Sequence, residues 1–532
     1  VVDYLTLLQS IDALHSQTGT ISLKPAPSEF PKESIYEGQL SALETLICSS
    51  DALLCSHTGS GKTAVFTTLA HQLNLPTLII EPRKFLQEQV HSYFPQSDVC
   101  IYGKSTYKCF YANSAASAPC VRKQKGIIEE FGIKRAATLF KVWNHTESKF
   151  DEFEYPCTDC PYILASWRAM NNLQHSKVVI CNFGNFWKYL KMAQFIIIDE
   201  ADAFFQSITA GLKLDYPNKE EDVTEVLTSE IHQTQKEISR FESLSPTKDL
   251  SDKDICFKLT KLQNHLESLQ FFKAHAFICF TYKRKTKGTD STYVEIDPSE
   301  VMALKERIFK GKRMLVVTAT PSAFQEVQQV TYSIFQRAGI FYTPIGLMTR
   351  RNVDNGNEYL LEEAGDFIMT MYSIFEGKYG TKKCLVHCGN LTSYAKVLHE
   401  YIGKDWADLH TSGKLKETVE NFETNNKRYL LLAGAEYGLD FQDNLQFILK
   451  MPYASMDDRL RALQKQMDPK EFNQWYEMDC INRFCQACGR VGRKYNDFAV
   501  TMVLDQKFKS LYYKYKDNFP EWFLNRLDPA TY

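Results

Sequence analysis

The octad Ser56-His57-Thr58-Gly59-Ser60-Gly61-Lys62-Thr63 follows a short apolar run, Asp51-Ala-Leu-Leu-Cys55, and opens a helix-forming segment from Ala64 to Gln72. A buried strand that enters a small-residue loop and leaves through a helix N-terminus belongs to a parallel α/β layer and forms an anion site. Backbone N–H groups of such a loop curl round phosphates, the lysine reaches the β- and γ-phosphates, and the final hydroxyl suits Mg²⁺. His57, Thr58, Gly59, Ser60, Gly61, Lys62 and Thr63 are therefore expected to hold a nucleotide, although Ser56 takes the place of the motif's opening glycine.

A second signal answers the first. Phe195-Ile-Ile-Ile-Asp199-Glu200 is a continuous apolar run ending in two acids, the pattern of a central strand whose C-terminal end faces the site. Asp199 is expected to hold Mg²⁺, and Glu200 to orient or deprotonate the attacking water. The stretch from Lys62 to Asp199 is longer than one such domain needs, which implies an insertion. A second insertion lies between Asp199 and the strand-like Leu315-Val-Val-Thr-Ala-Thr320.

The first insertion carries Cys109, Cys120, Cys157 and Cys160, the last two as Cys-x-x-Cys. Four thiols fit tetrahedral zinc or a 4Fe-4S cluster, and spacing does not separate the two. The chain has 15 cysteines in 532 residues and no apparent secretion signal, so free, buried or metal-bound thiols are expected in place of disulfides. Between residues 101 and 150, nine Lys or Arg against three Glu are interleaved with Tyr102, Tyr107, Phe110, Tyr111 and further aromatics. Cations beside aromatic faces suit single-stranded nucleic acid. The net charge of −2 demands that such contacts be local. No apolar run is long enough for a membrane span, and a cytoplasmic or nucleoid-associated protein is expected, in the host cytoplasm for a viral or mobile-element chain.

The second insertion shows two helical stripes. Val223, Val226, Leu227, Ile231, Ile238, Phe241 and Leu244 form one; Ile255, Leu259, Leu262, Leu266 and Leu269 form the other. They predict an antiparallel helical hairpin. Lys283-Arg-Lys285-Thr-Lys287 reads as an exposed hairpin tip. Beyond residue 322, the runs Lys383–Cys388 and Tyr429–Ala433 alternate with helical segments as a second α/β layer. Gln486, Arg490 and Arg493 follow there, and a planar guanidinium is suited to a γ-phosphate. Cys485 and Cys488 read as helix residues, and His387 and Cys388 as packing residues at a strand end.

In this order of parts the chain resembles the XPD/DinG family of superfamily 2 iron–sulfur helicases, from about Tyr36 to Phe523. Gly103-Lys-Ser-Thr-Tyr107-Lys-Cys109 is similar to the approach to the first cluster cysteine, and Cys157-Thr-Asp-Cys160-Pro-Tyr to the last pair. Thr318-Ala-Thr320 stands where the family has Ser-Ala-Thr. Tyr437-Gly438-Leu439-Asp440-Phe441 resembles Glu-Gly-x-Asp-Phe, and Gln486-Ala-Cys-Gly489-Arg490-Val-Gly-Arg493 resembles Gln-x-x-Gly-Arg-x-x-Arg. Two departures stand out: Asp202 replaces the usual histidine of the acidic box, and Tyr437 replaces a glutamate, with Glu436 one position earlier.

The resemblance implies an α/β fold of two RecA-like motor domains, with an iron–sulfur insertion and a helical Arch insertion in the first. The expected division is 1–100, 166–205 and 299–325 for the first motor domain, 101–165 for the cluster, 206–298 for the Arch, and 326–532 for the second motor domain. Gln39 is expected to read adenine and Asp440 to lie on the nucleotide. The implied activity is an ATP- and Mg²⁺-dependent helicase moving 5′ to 3′ on single-stranded DNA and opening tailed or forked duplexes, as a monomer, in repair or replication. No nuclease domain is expected. An ATP-gated clamp that binds nucleic acid without unwinding and a small-molecule phosphotransferase are the other classes, the latter disfavoured by the arginines of a second lobe.

Overall fold

The computed structural model describes residues 4–19, 22–108, 115, 140–144, 149–153, 160–215, 222–244, 252–286, 289–320, 327–349, 359–389, 392–410, 415–433, 441, 443–492 and 496–528. Its frame is two parallel sheets. The first has seven strands, in the order Gln328–Thr331, Asp51–Cys55, Arg313–Thr318, Phe195–Ile198, Thr77–Glu81, Val178–Asn182 and Val99–Ile101. Every adjacent pair is parallel. Its central strands are buried throughout, as a sheet covered by helices on both faces requires. The second sheet has six strands, Arg337–Gly346, Phe498–Asp505, Leu445–Ile448, Cys384–His387, Tyr429–Leu432 and Ala407–Leu409, again all parallel.

Between Asp199 and Arg313 the chain leaves the first sheet. Helices Val223–Ser243 and Asp252–Ala274 pack on one another, as the two stripes predict. The buried face of the first also takes Glu230 and Thr234, which an apolar stripe cannot announce. The hairpin Cys279–Thr286/Thr289–Ile296, with Leu212–Lys213 on its edge, closes the insertion, and Lys283–Thr286 of the basic stretch end its first strand, Lys287 lying outside the described residues. In the cysteine insertion, Phe140–Asn144 pairs antiparallel with Lys149–Phe153.

Two sequence boundaries move. Residues 1–100 do not all belong to the first lobe, because helix Tyr4–His15 packs on the second sheet. Leu7 and Ile11 are buried there with Phe341, Phe367 and Phe375, and Leu8 and Leu14 pack beside them. Two such side chains contribute about 1.5–3 kcal/mol each. Asp12 adds hydrogen bonds from Lys378 and Tyr379. The second correction concerns residue 326, expected to begin the second lobe: Gln328–Thr331 is still an edge strand of the first sheet, paired with Ala52–Cys55.

Candidate active site and lobe interface

The loop Ser56–Gly61 leaves the C-terminal end of its strand and delivers Lys62 as the first residue of helix Lys62–Gln72. Gly61 needs to be glycine on two grounds: its φ is +83°, and a Cβ there would stand 2.5 Å from Gln39 Nε2. Lys62 Nζ donates to the carbonyls of Ser56 at 2.8 Å and His57 at 3.1 Å, which sets the ammonium inside the curl of the loop. Thr63 follows, half-buried, on the first helical turn. Ser56 Oγ donates to Tyr332 O at 2.6 Å, so the side chain at the missing glycine's position ties the loop to the chain leaving the first sheet. Gln39 is buried; Nε2 donates to Ser60 O at 2.8 Å and Oε1 accepts from Tyr36 N at 3.2 Å.

Asp199 and Glu200 stand at the end of the central strand. Glu200 takes a left-handed conformation, φ 47° and ψ 52°, uncommon for a non-glycine residue and associated with functional sites. Its N–H donates to Asp199 Oδ1 at 2.9 Å. Burial and then the Glu200 charge push the Asp199 pKa upward, with Lys62 opposing. Asp202, one turn on, accepts from Thr318 Oγ1 at 2.8 Å and Thr320 Oγ1 at 2.6 Å. The replacement for the family's histidine is thus joined directly to the Thr-Ala-Thr segment.

The second lobe closes the site. Thr58, Lys62, Asp199, Glu200, Thr318 and Ala319 face Gln486 and Arg490 across a cleft of about 10 Å³, the room of one water. ATP can enter only when the lobes part. Gln486 is 4% exposed, and neither of its amide atoms has a partner among the described residues. Gly489 reaches the phosphate loop itself, since a Cβ there would meet Thr58 Oγ1 at 3.0 Å. Trp522 Nε1 donates to Ala319 O at 3.0 Å, between the two threonines that hold Asp202. That bond places the C-terminal tryptophan in the lobe interface, a role its sequence position does not reveal.

The sequence reading also missed Glu81. It ends the strand beside Phe195–Ile198, is fully buried, and both carboxylate oxygens lack partners among the described residues. Burial, then Asp199 and Glu200, raise its pKa well above the usual range. A raised folded-state value means that the folded protein retains a proton the unfolded chain has lost, so this group's contribution to stability falls as pH rises above its ordinary value of 4.5. Glu81→Gln is expected to raise the melting temperature at pH 8 and to change it little at pH 4.5. Equal shifts at both values would show that the carboxyl does not titrate with folding.

Arg493, Asp440, Cys109, Cys120 and Cys157 lie outside the described residues, as do Glu436 and Tyr437. Cys160 is described: it precedes helix Pro161–Gln174 and is buried with Ala115 and Ile163, beside Tyr107 and Tyr162. Ala115 N donates to Tyr107 O at 2.9 Å, which brings Tyr107 and Ala115 together beside Cys160. Cys485 and Cys488 are buried in the apolar core of the second lobe, and His387 and Cys388 pack in its sheet. Among the described residues no helix is long and apolar enough to cross a membrane.

Two parallel sheets, a phosphate loop and two acids on one, and a glutamine and an arginine facing them from the other define a two-lobed phosphate-loop nucleotide site. Residues 36–118 match the DEAD/DEAH box helicase family, and residues 383–526 match the helicase C-terminal domain. The fold is similar to a solved XPD helicase, with a TM-score of 0.55 at 14% identity over 92% of this chain and 98% of that one. It is also similar to Xpd4 of S. tokodaii, with a TM-score of 0.50 at 13% identity over 92% and 98% of the two chains. A regulator of telomere elongation helicase 1 homolog of Caenorhabditis briggsae is 27% identical over 115 residues, 22% of this chain and 11% of that relative's length. Two helicase domain matches, one in each lobe, thus lie on a fold similar to that of the XPD helicases.

Proposed function

We propose that the chain hydrolyses ATP to move 5′ to 3′ along single-stranded DNA and separates tailed or forked duplexes. The observation that carries this reading is the inter-lobe cleft: a lysine and two acids from one sheet meet an arginine and a glutamine, unpartnered among the described residues, from the other. Lys62 and the loop N–H groups hold the β- and γ-phosphates, Glu200 orients the attacking water, and Arg490, with Arg493, stabilises charge on the transferred phosphoryl group. Thr63 and Asp199 would hold a magnesium ion, which would supply charge neutralisation at the phosphates. Because the cleft closes only when both lobes contribute, each cycle of binding and hydrolysis opens and shuts it, and the strand advances with that motion.

For the strand, support comes from a lysine–tyrosine cluster on the first lobe. Lys84 lies 5.3 Å from the Tyr102 ring, and Lys104 and Lys188 lie 5.8 and 5.2 Å from the Tyr162 ring. Tyr107 packs edge-on against Tyr162 at 5.5 Å. Cations and aromatic faces together neutralise phosphates and stack bases without choosing a sequence. The cluster adjoins Cys160, so a 4Fe-4S group on Cys109, Cys120, Cys157 and Cys160 would supply the cross-link that fixes this surface.

Strand separation on duplexes with a 5′ or a 3′ tail tests the proposal. Unwinding from the 5′ tail alone, lost in Lys62→Ala and Cys109→Ser, is the expected result. ATPase stimulated by DNA with no unwinding from either tail would make the chain an ATP-gated clamp.

A further inference from the structure

The chain crosses between the lobes twice, and the crossings meet. One leaves helix Tyr4–His15 on the second lobe for Tyr36 on the first; the other runs from Thr331 to Arg337. Arg337 Nη1 donates to His15 O at 2.7 Å, and Gly19 lies so close to the Phe335 ring that a Cβ would stand 2.1 Å from it. Between these crossings and the C-terminal segment Trp522–Asp528 lies a cavity of about 440 Å³, far larger than the nucleotide cleft. Lys62, Asp199, Glu200, Gln486 and Arg490 are absent from its walls. The phosphate loop contributes only His57, whose ring is engaged with Thr58 O at 2.9 Å and Ile334 N at 3.4 Å.

The walls are rich in donors. Arg526 lies over the Trp522 ring, 5.2 Å from its centroid, and donates to Gln336 Oε1. Burial lowers the arginine to about 10, and no carboxylate offsets that effect, although Asp528 also lines the cavity. A guanidinium has five N–H donors. Gln336 Nε2 is enclosed and has no partner among the described residues. Leu14, Ile334, Phe335 and Phe341 supply an apolar part of the wall, and Ser10, Gln17, Ser333 and Asn525 add polar groups.

We infer that this hinge cavity binds a small organic oxyanion, a carboxylate or phosphate monoester on a flat apolar group. Arg526 and Gln336 Nε2 hold the oxyanion, and Phe335 and Trp522 flank the apolar part. An occupant touches both crossings and the C-terminal segment at once, so it fixes the angle between the lobes. Trp522 carries that constraint to Ala319 in the nucleotide cleft. The effect on ATP turnover rests on the helicase reading; binding itself does not.

Calorimetric titration of the full chain with phenyl phosphate, benzoate and inorganic phosphate tests the site. At least one organic probe is expected to bind about tenfold or more tightly than inorganic phosphate, and to bind still with saturating ADP present and in Lys62→Ala. Arg526→Met weakens it by on the order of tenfold or more. Ala13→Trp, at an exposed position of the N-terminal helix on the cavity wall, places an indole in the cavity, leaves the arginine in place and abolishes binding. Preference for one organic probe assigns the physiological anion to phosphates or to carboxylates. Absence of binding by both, retention in Ala13→Trp, or displacement by ADP would overturn the inference. Lack of unwinding would leave the titration unchanged and bear on the helicase reading alone.

Discussion

Arg490→Ala is expected to lower the maximal rate of ATP hydrolysis by about three orders of magnitude while ADP binding stays within a few-fold of the parent. The separation follows from which lobe owns which contact. Lys62 and the loop N–H groups belong to the first lobe and would hold a diphosphate without help. Arg490 comes from the second lobe, only 7% exposed, and lines the cleft opposite Lys62, Asp199 and Glu200. Its charge matters most when negative charge spreads over the transferred phosphoryl oxygens, so its loss should appear in the rate and not in ground-state binding. Arg490→Lys should recover little, because an ammonium offers a point charge where a planar fork is needed. Steady-state ATPase and ADP titration on the three proteins decide the matter; turnover within tenfold of the parent in Arg490→Ala would remove the arginine from the chemistry.

The parts of this site that were legible in the sequence are those whose chemistry is local. Ser56–Thr63 works through its own backbone and one helix N-terminus, and Asp199-Glu200 ends an apolar run, so each carries its signal within a few residues. Gln486, in the last turn of helix Pro469–Cys488, and Arg490, just past its C-cap Gly489, likewise come from one short segment and line the same cleft. Glu81 escaped notice because a single acid after Thr77-Leu-Ile-Ile is indistinguishable from a strand's polar end. Its meaning comes from the register that sets Ile80 beside Ile198 and so brings three carboxyl groups together.

Long-range packing was equally silent. Leu7, Leu8, Ile11 and Leu14 pack from helix Tyr4–His15 onto the second lobe's core, and apolar spacing of this kind says that a face is buried and not which surface buries it. Only the fold reveals that the N-terminal helix skips its sequence neighbour and docks on the second sheet. The hinge cavity follows from that detour, since residues 10–17, 333–341 and 522–528 are far apart in the chain. Trp522 falls inside the stretch from Tyr36 to Phe523 that carries the resemblance, yet its hydrogen bond to Ala319 depends on how the lobes meet.

That bond and the Asp202 network lead to the second large effect. Asp202→Ala is expected to cost about 2–4 kcal/mol of stability, because the buried hydroxyls of Thr318 and Thr320 both lose the carboxylate that accepts from them. Asp202→Asn should cost much less, since the amide oxygen can accept the same bonds. The pH profile separates charge from geometry. Burial raises Asp202 from an ordinary value of 3.8 to about 6 against the opposing hydroxyls. The folded state therefore keeps a proton that the unfolded chain has lost, and this group's contribution to stability falls as pH rises from about 4 to about 6, then levels off. Asp202→Asn should erase that slope in thermal melts recorded across the window. Asp202 also joins the acidic box to Thr318-Ala319-Thr320, and Trp522 of the other lobe grips the middle residue, so breaking this joint should disconnect hydrolysis from lobe movement. Base pairs opened per ATP should fall by on the order of tenfold in Asp202→Ala, with ATPase less affected. Equal losses of ATPase and unwinding would mean that Asp202 serves the chemistry itself, and the joint between box and threonines would not be the route by which hydrolysis moves the strand.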